Sequence, residues 1–495
     1  MSKRLLLAVV VVLALVAGVG WWVSRGPDAS SEPGRAKPSP ATLPEPSVDA
    51  DSEDLAAAES DPQEDSYYPR VGDPGVDALH YDLDLAWDPE TDILTGITTL
   101  AFRSTTDAGS FRLDLGEPLE VSAVVLDGVP ADFDHVGKDL VVETPVTEDG
   151  RYTVQVAYAG TPAPVPAPTT RSDFSTTGWT VTQRHEVWTM QEPFGAYTWY
   201  AVNDQPSDKA LYDFTIRVPA PWVGVANGTM TSKEQEGDQT VTHFRLEEPA
   251  ASYLTTIGIG DYELHTQTTA SGTPVNLWTL RRQSAALSDL RFAKDAIEWI
   301  ERRLGPYPFS SAGILLTDSQ SGMETQTLIS LGYNDYITSK PVIVHEMVHQ
   351  WYGDLVTPSD WRDVWMNEGM AMYLQLVYEA RSKGRPADTA MSGELAFDQE
   401  LRDEAGPPGA FDPAMFGSSN VYYCAALMWD ELRKQVGDEE FWRLVRAWPQ
   451  QHAYGNASRE QLFDWLEGET GLELSAFFDA WLLGSKTPAV HTGDS

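Results

Sequence analysis

Chemistry can be built on His345-Glu346-Met347-Val348-His349 and on Glu368, which lies nineteen positions past the second histidine in Asn367-Glu368-Gly369. Two histidines four apart share one face of a helix, one turn from each other. Both imidazoles can then reach a single metal ion. Two nitrogens plus one carboxylate oxygen, with a fourth position left open, suit zinc. Glu346 follows the first histidine and is placed to take a proton from an activated water rather than to bind the ion. The five-residue pattern alone is a moderate signal. A third carboxylate on a second helix makes it strong.

These residues need elements to hold them. Pro341 falls near the first turn of the predicted histidine helix, where proline is tolerated. A second helix, predicted over 363–380, carries Glu368 near its start. Leu290, Ala293, Ile297, Ile300 and Leu304 recur at helical spacing and predict a helix over 288–304 that stops at Gly305-Pro306. Ile314-Leu315-Leu316 reads as a short buried strand. Further helices are expected over 421–436, 438–448, 459–470 and 474–483. Residues 264–485 thus read as an α-rich unit with a small sheet, followed by a tail at 486–495. Upstream, residues 67–263 alternate apolar and polar, as in His80-Tyr81-Asp82-Leu83-Asp84-Leu85, and carry turn signals such as Asp127-Gly128 and Asn227-Gly228. That pattern predicts a mostly antiparallel β domain, interrupted by a stiff extended loop over 162–168.

The chain of 495 residues is too long for one core. Its formal net charge of −40 leaves nothing to neutralise phosphates on the scale that nucleic acid demands, so nucleic acid is excluded as a partner. A single cysteine, Cys424, excludes an intrachain disulfide and a four-cysteine zinc site. Residues 5–23 form an unbroken apolar run after Lys3 and Arg4. Its length predicts a transmembrane anchor over 1–23, with the amino terminus cytoplasmic and the rest of the chain outside. A cleaved signal peptide and a secreted protein are the alternative. Residues 24–66, rich in Pro, Ser, Ala, Asp and Glu, predict a disordered acidic linker.

The run from His345 through Pro358, continued by Trp361, Trp365 and Asn367-Glu368-Gly369, resembles the gluzincin aminopeptidases of the aminopeptidase N type. Leu304-Gly305-Pro306-Tyr307-Pro308-Phe309 and Glu192-Pro193, with Asn203 through Ala210, are similar to further blocks of that family. The resemblance spans roughly residues 67–483. It implies a saddle-like β domain followed by a thermolysin-like catalytic domain, and hydrolysis of amino-terminal residues from peptides. It implies one zinc ion held by His345, His349 and Glu368, with Glu346 as general base. Tyr422 would be the donor to the oxyanion, with Tyr423 as the neighbouring candidate. Glu324, in Ser321-Gly322-Met323-Glu324-Thr325, and Glu192 would hold the substrate's free ammonium, with Gly322 and Met323 beside them.

Ser321, Thr325, Met190 and Cys424-Ala425 depart from the family pattern, which predicts an altered substrate preference. The family's large C-terminal helical domain has no counterpart here, which predicts a more open cleft. A zinc endopeptidase on the same site, and a non-catalytic binding protein that keeps the fold, are the competing readings.

Overall fold

A computed structural model describes residues 43–490, apart from residues 47 and 387. The first part is built on an eight-stranded sheet. In order across it run Thr229–Glu236, Gln239–Ala251, Lys209–Pro219, Val76–Asp88, Ile93–Ser104, Arg151–Gly160, Leu119–Leu126 and Val129–Pro130. Alternation drives it: Leu83, Leu85 and Trp87 are buried while Asp82, Asp84 and Ala86 between them are half-buried. The pairings are antiparallel except one. Val76–Asp88 lies parallel to Lys209–Pro219, with His80 opposite Leu211, because the chain between them builds much of the rest of this part before returning.

A second sheet carries Val223–Ala226, Ile257–Gly260, Val187–Met190, Thr176–Val181 and Val165–Pro166. The last of these is a two-residue edge strand within the stretch expected as a loop over 162–168. Proline is tolerated at an edge because its missing N–H costs no ladder bond.

At Asp261 the chain leaves that sheet. Tyr262–Thr268 opens a five-stranded mixed sheet with Pro274–Leu280, Ala312–Thr317, Ile329–Gly332 and the edge strand Gly322–Met323. Helices cover it. The helix expected over 288–304 breaks at Arg291-Phe292 into Leu287–Leu290 and Ala293–Leu304. The one expected over 421–436 opens as a π-turn, Asn420–Cys424, before regular helix over Ala425–Val436. Asp398–Ala405 is an additional helix that apolar periodicity does not reveal, because its buried side is made by the Arg402–Asp398 ion pair (2.7 Å).

Two expectations need correction. Residues 48–66, expected to be disordered linker, are packed. Leu55 and Ala50 lie against Leu79 and Ala101. Arg103 donates to the Ser60 carbonyl (2.9 Å), and the Trp361 N–H donates to Asp65 (2.7 Å). A few apolar residues placed against matching gaps are enough, even in an acidic stretch. The expectation of a membrane-anchored, extracytoplasmic protein is also corrected. Among the described residues no helix is long and apolar enough to cross a membrane, and residues 5–23, on which the expectation rested, lie outside them.

The two parts are bonded together at buried positions. Lys209 is 1% exposed, and its ammonium donates to the carbonyls of Asp354 (2.8 Å) and Leu355 (3.3 Å), just past the histidines. Burial pulls its pKa down to about 7, against Asp354, which raises it. Lys209→Met would take the charged donor from both carbonyls, leaving Leu355 with the Tyr454 N–H (2.8 Å) and Asp354 with only the long bond from the Thr357 hydroxyl (3.5 Å). It is expected to lower stability by ~1–3 kcal/mol, read as a shift in the denaturant midpoint without a change in slope.

Candidate active site

The histidine helix is Lys340–Val348, with Pro341 in its first turn. His349 caps its end in helical geometry (φ −57°, ψ −26°), so the two imidazoles remain one turn apart. The Nδ1 of His349 lies 3.1 Å from the Tyr352 carbonyl. Donation there leaves Nε2 as a free lone pair aimed inward.

Glu368 stands in the first turn of the helix Trp365–Ser382, where its negative charge suits the helix dipole. Asp360 starts the preceding turn by accepting the Arg362 N–H (2.9 Å), and buried Asp363 pairs with Arg459. Gly369 allows this helix to press on Ala425, because a Cβ there would collide with that of Ala425.

Three atoms converge. The Nε2 atoms of His345 and His349 are 3.3 Å apart, and the Glu368 Oε2 is 3.2 and 3.4 Å from them. The centre of such a triangle is roughly 1.9 Å from each corner, just inside the ~2.0–2.2 Å bonds that zinc makes to nitrogen and oxygen. Burial works against a charge on His349, but Glu324 and Glu368 outweigh it and raise its pKa well above the usual value. Burial would raise the Glu368 pKa, yet His349 and His345 hold it far below the carboxylate range. These surroundings call for positive charge, and the donor set fits a divalent ion.

Glu346 is buried, and burial followed by the Glu324 charge pushes its carboxyl well above the usual range. The edge strand passes directly over it: a Cβ on Gly322 would run into the Glu346 carboxylate. Met323 and Glu324 follow. Glu192, at the end of the Val187–Met190 segment, comes from the β domain and meets them. Glu192, Glu324 and Glu368 each bring a carboxylate oxygen within 4.8 Å of the others. An oxygen of Glu192 and one of Glu324 are buried without a hydrogen-bond partner. Burial, then the charges of Glu324 and Glu368, raises Glu192 well above its usual value, and burial raises Glu324 against the pull of His349.

Tyr422 lies on the π-turn with its ring 5.9 Å from that of His345. Its hydroxyl accepts from Arg171 Nη1 at 3.0 Å. Tyr423, its neighbour, also lines the cleft and is half-buried. The cleft holds about 480 Å³, bounded on its apolar side by Met190, Met323, Ile337, Val342 and Met372. Sequence reasoning missed Arg171 and Asp173, which line the same space. They sit in an irregular loop with no periodicity or spacing to mark them.

The chain matches the Peptidase M1 N-terminal domain over residues 77–254 and the Peptidase family M1 domain over residues 290–481, which together span most of its length. It belongs to the M1 peptidase family.

Aminopeptidase N of Streptomyces lividans is 26% identical over 441 residues, 82% of this chain and 50% of the relative. Aminopeptidase N of Lactobacillus helveticus is 24% identical over 447 residues, covering 83% and 51%. The chain therefore spans about half the length of these curated relatives. The solved M1 zinc metallopeptidase of Deinococcus radiodurans superposes with a TM-score of 0.75 at 24% identity, over 88% of this chain and 100% of the other. A mutant of it bound to a Tyr-Ser-Ala substrate gives 0.75 over 86% and 99%. The likeness fixes the fold as a β-rich N-terminal domain followed by an α-rich catalytic domain.

In this M1 peptidase the unusual residues have local partners. The Ser321 hydroxyl donates to Asp173 (3.1 Å), and Thr325 donates to the Leu328 carbonyl and closes the turn after the edge strand. Cys424 is buried with its thiol toward the Asp398 carbonyl (3.8 Å).

Proposed function

We propose that this M1 peptidase is a zinc-dependent aminopeptidase that releases the amino-terminal residue of peptides. The observation that carries the reading is the gathering of Glu192, Glu324 and Glu368 beside the two histidines, with a buried oxygen of Glu192 and one of Glu324 left without a hydrogen-bond partner. An ammonium has three N–H groups and one positive charge, and such a cage answers both. An internal amide would leave the carboxylates unsatisfied at a cost of several kcal/mol. The relatives named aminopeptidase N and the Tyr-Ser-Ala complex of the Deinococcus enzyme support it.

His345, His349 and Glu368 would hold the ion, and zinc bound there supplies Lewis acidity toward the scissile carbonyl and acidifies a water. Glu346 takes the proton of the attacking water and delivers it to the leaving amine. The Tyr422 hydroxyl donates to the oxygen on which charge develops. Glu192 and Glu324 fix the ammonium, so the first peptide bond is the one presented to Glu346, with Gly322 and Met323 beside it. Met190, Val342 and Met372 keep the first side chain in apolar surroundings. On this reading residues 67–263 supply one ammonium ligand and residues 264–485 supply the rest.

Purified protein loaded with one zinc ion should release amino acids from a panel of aminoacyl reporters and short peptides. Activity should vanish with a chelator and return with zinc. Acetylation of the peptide amino terminus should abolish cleavage. Retained cleavage of acetylated peptides would instead indicate an endopeptidase, and no turnover at full zinc occupancy a binding protein.

A further inference from the structure

We propose that Arg171, carried into the cleft by the β domain, is a positioning residue for Tyr422, acting on its hydroxyl rather than on substrate. The inference rests on the reading of Tyr422 as the oxyanion donor.

The guanidinium is nearly used up by protein partners. Its Nε and Nη2 donate to the two oxygens of Asp173 (3.1 and 2.5 Å), and its Nη1 donates to the Gly417 carbonyl (3.1 Å) and to the Tyr422 hydroxyl (3.0 Å). Its carbon lies 4.4 Å above the Phe174 ring. Of five N–H groups four are spent, so no bidentate edge is left for a substrate carboxylate. A phenol oxygen that accepts from a cation keeps its own proton to give, and gives it more strongly.

Tyr422 needs an outside hold. It sits in a π-turn without a side-chain cap, an irregular backbone that does not by itself fix the phenol. The loop that brings Arg171 is pinned to the segment just before that turn. The Phe416 N–H donates to the Pro168 carbonyl (2.9 Å), and the Thr169 hydroxyl donates to the Phe416 carbonyl (2.7 Å). The Asp173 oxygen that accepts from Nη2, Oδ2, also accepts from the Ser321 hydroxyl (3.1 Å), on the segment leading to Glu324. One line of hydrogen bonds, Ser321–Asp173–Arg171–Tyr422, thus joins the ammonium side of the cleft to the phenol through a loop of the β domain.

The test is a double-mutant cycle in the full zinc-loaded chain, with kcat and KM measured on one aminoacyl reporter. Tyr422→Phe should lower kcat ~10²–10³-fold, the range for losing an oxyanion donor. Arg171→Met should lower kcat ~10-fold, with KM within about two-fold and zinc stoichiometry unchanged. In the Tyr422→Phe background Arg171→Met should have no further effect on kcat. Asp173→Asn, at a half-exposed site, gives a milder second probe and should lower kcat a few-fold in the wild-type background alone. Equal losses in both backgrounds, or losses confined to KM, would overturn the inference. A Tyr422→Phe variant with unchanged kcat would remove the role of Tyr422 itself, and this inference with it.

Discussion

Glu346→Gln is expected to keep its zinc and lose ~10²–10⁴-fold in kcat, the range for removing a general base. Glutamine has the same shape, so the edge strand over Gly322 and the buried packing around the side chain are kept. It cannot carry a proton from water to the leaving amine. The side chain lies outside the trio of His345, His349 and Glu368, so metal analysis should find one equivalent as before. A variant with near-normal turnover at full zinc would refute the assignment. One that loses zinc would instead mean that Glu346 supports the metal site.

Glu324→Ala is expected to lower kcat/KM for peptides with a free amino terminus by ~10²–10³-fold, the cost of truncating one partner of a buried charge pair. The carboxylate is 2% exposed, so water does not replace it well. Its main-chain carbonyl still accepts from Gln350 (3.0 Å), so the edge strand should stay in place. Any residual cleavage of acetylated peptides should be unaffected, and the preference for free termini should shrink accordingly. Competition between matched free and acetylated peptides reads this directly. An undiminished preference would take Glu324 out of the ammonium site.

The features legible in the sequence are those in which local spacing determines position. Four residues along a helix bring His345 and His349 together whatever surrounds them, and a short connection returns Glu368 on the next helix. Alternation exposed the β domain for the same reason. Arg171 and Asp173 were not legible. The meeting of Arg171 with Tyr422 depends on how an irregular loop of one domain settles on another some 250 positions later, and no periodicity encodes that. The order in residues 48–66 was hidden by composition. Only Ala50, Leu55 and Ala58 are buried between 48 and 60, too few to register as a pattern yet placed where Leu79 and Ala101 accept two of them. The π-turn at Asn420–Cys424 escaped because its residues also suit an ordinary helix.

The carboxylate cage has a kinetic consequence. On the proposed function, the signal that it reads, a free ammonium on an α-carbon, is not consumed by the reaction. Each cleavage would expose the same group on the shortened peptide and leave it on the released amino acid. Substrate, truncated product and free amino acid would therefore compete for Glu192 and Glu324. Under the proposed function, trimming would proceed one residue at a time down a peptide and would slow as amino acids accumulate around the enzyme.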